Sequence, residues 1–73
     1  MSIVDELRTY HIEVRGRMDE SDLNATSPLQ MNVAGTDEDS MRLTVHTDQS
    51  GLLGLIRHLH GLRLALLSLS CKN

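Results

Sequence analysis

The sequence predicts an α+β fold: a four-stranded antiparallel sheet of order 2-3-1-4, a split βαβ arrangement, covered on one face by a single helix. Three observations carry this reading. Residues 10–18 alternate between apolar and other side chains without a break. After Thr47 the apolar residues recur at helical spacing. Short apolar alternations lie on either side of that helical stretch. The 73 residues are expected to form one domain.

Residues 1–9 read as a lead-in, with Ser2 placed to cap a brief turn around Ile3–Leu7. The first strand follows. Tyr10, Ile12, Val14, Gly16 and Met18 fall on one side of it, and His11, Glu13, Arg15 and Arg17 on the other. That is the period-two signature of a half-buried strand. Residues 19–28 cluster Asp, Ser, Asn and Pro and read as loop. Asp19 or Ser21 is placed to cap a single turn there, and Pro28 stops any helix running through. Leu29, Met31 and Val33 alternate against Gln30, Asn32 and Ala34 as a second strand. Residues 35–40 are a charged turn with Gly35, and Met41, Leu43 and Val45 alternate against Arg42, Thr44 and His46 as a third. Strands two and three read as a hairpin.

Leu52, Leu55, Ile56, Leu59 and Leu62 sit at the spacing of an amphipathic helix, with Gly54, Arg57, His58 and Gly61 opposite. Thr47 or Asp48 is the N-cap, worth about 1 kcal/mol. Arg57, His58 and His60 lie toward the C-terminal end, where positive charge suits the macrodipole. The helix is expected to end near Gly61. Leu64–Ser70 is the last strand. Ala65, Leu67 and Leu69 would face the helix, which leaves Leu64 and Leu66 on the far face; either register leaves a leucine outside the core. A strand–helix–strand crossover keeps its two strands parallel. The long first strand then fits between the third and fourth, antiparallel to both, as in a ferredoxin-like split βαβ fold.

Composition narrows the function classes. A chain this short buries only about 60% of its unfolded surface, and a core alone supplies roughly 3–5 kcal/mol. The single cysteine, Cys71, excludes an intrachain disulfide, so a partner subunit is the expected staple. Net charge is −3, the seven basic residues are scattered, and Tyr10 is the one aromatic. Nucleic acid is therefore not an expected partner. No apolar run approaches the ~20 residues of a membrane span, so no membrane partner is expected. Residues 1–9 contain Asp5 and Glu6 and no apolar run of a secretory leader. With one free thiol, a cytoplasmic setting is expected.

Two resemblances appear. Asp48, Gly51, Leu52 and Leu53 reproduce the Asp-x-x-Gly-Leu-Leu helix start of ACT domains, and the stretch around them resembles the first half of those amino-acid-binding regulatory modules. The resemblance implies a strand–helix turn that contacts a small polar effector; a complete ACT domain also has a second helix, for which this chain shows no sequence. Tyr10, Ile12, Val14, Gly16, Met18, Asp19 and Glu20, with Asp48, Gln49, Leu52, Gly54, Leu55, Leu66, Leu67 and Ser68, are similar to a group of short bacterial proteins of unassigned function. That likeness spans most of residues 10–70 and implies a bacterial α+β module, with no activity attached. The group carries Trp and Phe in the loop that is residues 21–28 here, and Gly where this chain has Arg63. Gly61 is the glycine left to take the helix-stopping role.

No catalytic, metal or cofactor site is expected. His58 and His60 are two apart on a helix and point about 200° from each other, whereas helical ligand pairs use i, i+4 spacing. His11 and His46 lie on the open sheet face without a cysteine or carboxylate fixed beside them. Cys71 has Lys72 next to it but no base. Asp19, Glu20, Asp22, Asp37, Glu38 and Asp39 lie in loops and read as solvated turn charges, since acid–base work needs a pocket that shifts a carboxylate's pKa. Two candidate sites remain. Asp48, Gln49, Ser50 and Gly51 form a helix N-terminus, where backbone N–H groups favour an anionic ligand, although capping alone accounts for Asp48. The open sheet face, with His11, Glu13, Arg15, Arg42, Leu64 and Leu66, is the candidate interface for a homodimer or another protein. The expected function is a non-catalytic protein- or ligand-binding module, or else an ACT-like sensor of a molecule such as an amino acid.

Overall fold

A computed structural model describes residues 7–27 and 29–72. Most of the expected lead-in turn at 3–7, and the stop at Pro28, lie outside them. The element order is β1 (Arg8–Arg15), α1 (Glu20–Ala25), β2 (Asn32–Thr36), β3 (Ser40–Thr47), α2 (Gln49–Gly61) and β4 (Ala65–Lys72). The four strands form one antiparallel sheet of order β2-β3-β1-β4. The expected topology is the observed one.

The apolar alternations become the core. Tyr10, Ile12 and Val14 of β1 and Met41, Leu43 and Val45 of β3 are buried together with Leu52, Leu55 and Leu59 of α2. β1 stops at Arg15, short of the expected Met18, because Gly16 turns the chain at φ 112°. A Cβ there would press on the Leu64 side chain, so only glycine fits.

Within the expected loop 19–28 the chain builds a second, six-residue helix, α1. Its Leu23 is fully buried, and that contact compensates for a helix too short to be stable alone. Asp19 is its N-cap residue by position but makes no side-chain capping bond. The fixing element is Asn24. Its amide donates to the Met31 carbonyl at 3.0 Å and accepts from the Met31 N–H at 2.8 Å, replacing a strand partner for the residue that precedes β2.

α2 ends at Gly61, as expected, but Gly61 is not the residue that stops it. Gly61 is an ordinary last helical residue, and Arg63 takes the left-handed conformation at φ 65°. The Leu64 N–H bonds to the Leu59 carbonyl and the Arg63 N–H to the His60 carbonyl, both at 3.0 Å. This is a Schellman stop, with buried Leu64 placed against buried Leu59 as its hydrophobic contact. Closing that contact fixes where the turn falls, so the left-handed residue is Arg63 whatever its side chain. A left-handed non-glycine residue costs about 1–2 kcal/mol, and glycine loses about 0.5–1 kcal/mol of chain entropy in exchange. Arg63→Gly is therefore expected to raise stability by roughly 0.5–1 kcal/mol and the melting temperature by about 3–6 °C, read by thermal denaturation. An unchanged or lower midpoint would refute the assignment of strain to Arg63.

Candidate functional site

The sheet has two edges, and they are finished differently. A 13-residue helix is about 20 Å long and 10–12 Å wide. Strands lie about 4.8 Å apart, so one helix covers roughly two of them. α2 covers β1 and β3. At the β2 edge, α1 supplies further cover, and the Glu20 carboxylate accepts the Val33 N–H at 2.9 Å. β2 is also short and bulged between Val33 and Gly35. At the other edge, all eight residues of β4 are exposed and, among the described residues, nothing lies beyond them.

β4 pairs with β1 through two regular stretches separated by a bulge at Leu67. Cys71, Leu69 and Ser68 oppose Tyr10, Ile12 and Glu13; past Leu67, Leu66 opposes Val14 and Ala65 opposes Arg15. Residues directly opposite share a face. Leu66, Leu69 and Cys71 therefore lie on the face that α2 partly covers, and Ala65, Ser68 and Ser70 on the open one. The leucines stay half in water: Leu66 and Leu67 are 45% exposed and Leu69 is 42% exposed. Between β4 and α2 runs an apolar cleft of about 270 Å³, walled by Val14, Ile56, Leu59 and Leu66, with Arg57 and His60 at its lip.

This corrects two expected interface residues. Leu64 is not on the open face but buried in the core, 5% exposed, as part of the helix stop. Leu66 lies on the helix side, and Ala65 on the open side, because the extra residue Leu67 shifts the alternation by one. The other four do gather on the open face. His11 opposes Thr44 and Ser70, Glu13 opposes Arg42 and Ser68, and Arg15 opposes Ser40 and Ala65. His11, Glu13, Arg42, Ser68 and Ser70, with Ala34, line a shallow depression of about 330 Å³.

The strand–helix turn is built as a cap. Asp48 Oδ1 accepts the Gly51 N–H at 2.7 Å, and its carbonyl accepts the Leu52 N–H at 3.0 Å. Of the two expected caps, Asp48 is the one used; Thr47 closes β3 and is buried. A side chain on Gly51 would collide with the Thr47 hydroxyl and crowd Asp48 Oδ1, so glycine lets the cap close. Gln49 and Ser50 are exposed beside it. None of Asp48, Gln49, Ser50 or Gly51 walls the clefts described above.

Of the remaining groups, Arg17, Asp19, Glu20 and Asp22 line an open groove of about 620 Å³ beside α1. The Thr9 hydroxyl lies 3.3 Å from His46 Nδ1, diagonally across from His11. His58 is half-buried, its Nε2 enclosed without a hydrogen-bond partner. Cys71 is exposed and sits inside β4 opposite Tyr10. Among the described residues no group of three or more His, Cys, Asp or Glu is placed to hold a metal ion. Nor is any helix among them long and apolar enough to cross a membrane. Compared with protein-family models, curated proteins and solved structures, the chain matches none.

Proposed function

We propose that this chain is a non-catalytic binding module that engages a protein partner through the edge of β4. The carrying observation is a full-length, uncovered edge strand with three leucines almost half in water. An edge of this kind offers a row of unpaired backbone groups, and proteins that leave it unused normally shorten, charge or cover it. Here the β2 edge is short and covered by α1, whereas β4 runs uncovered for eight residues with one bulge and one charge, Lys72. Strand addition supplies main-chain hydrogen bonds, while pockets beside the strand select side chains; the cleft at Ile56, Leu59 and Leu66 suits an apolar one. The ACT-like reading finds less support, since the Asp48 carboxylate is engaged by Gly51.

Charging the edge tests this. Leu67→Lys adds the residue that most often protects edge strands, at a position exposed enough to leave the core intact. It is expected to keep a cooperative melt while abolishing β4 cross-links in intact cells, read by cross-linking mass spectrometry. Cross-links that persist, or that fall on the Asp48–Gly51 turn, would defeat the proposal.

A further inference from the structure

We infer that the partner of β4 is a second copy of this chain, paired antiparallel about a two-fold axis at Leu69. This rests on the reading of β4 as the binding edge and names its occupant. The argument is the match of the strand to its own reverse. Centred on Leu69, antiparallel pairing sets Leu69 opposite Leu69 of the second copy, Ser68 opposite Ser70, and Leu67 opposite Cys71. Apolar residues meet apolar residues on the helix side, and serines meet serines on the open side, as productive cross-strand pairs require. Such a pair is isologous, the commonest closed symmetry.

Charge agrees with the pattern. β4 contains no acidic residue and a single basic one, Lys72. Self-pairing puts the two Lys72 side chains at opposite ends, six strand positions apart. That is about 20 Å, beyond the Debye length of about 10 Å at 0.1 M salt. Each Lys72 lies on the open side, opposite Thr9 of its own copy and outside the matched stretch Leu67–Cys71. A foreign charged segment would find no countercharge along the strand. The axis stands perpendicular to the sheet, so both α2 helices lie on one side of a continuous eight-stranded sheet.

Area sets the strength. A stable complex buries roughly 800 Å² per partner, and interfaces below about 1,200 Å² in total are transient. One strand edge with three half-exposed leucines belongs to the lower class, so the dimer is expected to dissociate at micromolar concentration.

Sedimentation equilibrium of the purified chain from about 5 to 500 µM is expected to show a monomer–dimer equilibrium, and Leu69→Lys, which sets like charges together at the axis, to give monomer throughout. A second measurement fixes the register. In the single-cysteine variant Leu69→Cys/Cys71→Ser, the thiols face each other about 4.5–5.5 Å apart at the Cα atoms, within disulfide range. Diamide, taking up the two protons and two electrons, should link the copies at least tenfold faster than it links Leu53→Cys/Cys71→Ser, whose cysteine is on the exposed side of α2. Wild-type chain that stays monomeric throughout overturns the second copy as occupant and leaves β4 as a binding edge to the in-cell cross-links. A dimer that survives Leu69→Lys, with equal linking rates for the two cysteine variants, overturns both.

Discussion

Truncation of Leu55 to alanine is expected to leave the chain largely unfolded at 25 °C. Leu55 is fully buried on the central turn of α2, between the β1 and β3 alternations it holds together. Leu→Ala at such a site costs about 2–5 kcal/mol, the transfer free energy of the lost methyl groups plus the cavity left behind. A single core of this size supplies roughly 3–5 kcal/mol in all. The loss and the whole stability are therefore of one magnitude, which is not so in a larger domain. Urea denaturation followed by circular dichroism reads the effect. Leu55→Met, which keeps the volume, is expected to cost less than about 1.5 kcal/mol. Leu53→Ala, two positions away and 57% exposed, is expected to stay within about 0.5 kcal/mol of wild type. If Leu55→Ala and Leu53→Ala unfold at the same urea concentration, α2 does not bury the face described.

The second large effect is expected at Asn24. Asn24→Ala removes both hydrogen bonds to the Met31 backbone at once and strands an N–H and a carbonyl that are partly buried. Each orphaned group costs about 1–3 kcal/mol, discounted here for the water that reaches the site, so a total loss of roughly 2–3 kcal/mol is expected. Asn24→Asp separates the two bonds. It keeps an acceptor for the Met31 N–H but turns a carboxylate oxygen toward the Met31 carbonyl, where the amide had donated. It is expected to be destabilising as well, and hydrogen exchange should then show the Met31 amide better protected than in Asn24→Ala. Equal exchange at Met31 in both variants would mean that the clamp does not hold β2 in place.

The pattern of these residues explains what the sequence disclosed. β1 and β3 were legible because both are central strands with one face on the core, so burial enforces a strict period of two. α2 was legible for the same reason at a period of 3.6, and its Asp48 cap follows from side-chain chemistry next to the period change. α1 was not. Its one buried side chain, Leu23, has no helical partner to make a pattern, and Asn24 reads as a turn residue when its amide in fact stands in for a strand. Arg63 was misread because local preference favours glycine in the left-handed position, while the position itself is set by Leu64 reaching Leu59. β4 resisted assignment because an edge strand with both faces partly wet has no burial rule to obey, and the bulge at Leu67 then shifts its alternation. Leu64 and Leu66 were placed on the wrong face for that reason. The proposed binding edge thus lies in the element whose pattern is least constrained by the core.

The bond from Val33 to Glu20 has a consequence for assembly size. A sheet with two unfinished edges is divalent, and such units can add end to end without limit, the route to filaments and cross-β aggregates. With the β2 edge stoppered by a carboxylate, the proposed association through β4 makes the molecule monovalent. Its one reactive edge is consumed in the first association, and the sheet has nowhere left to propagate.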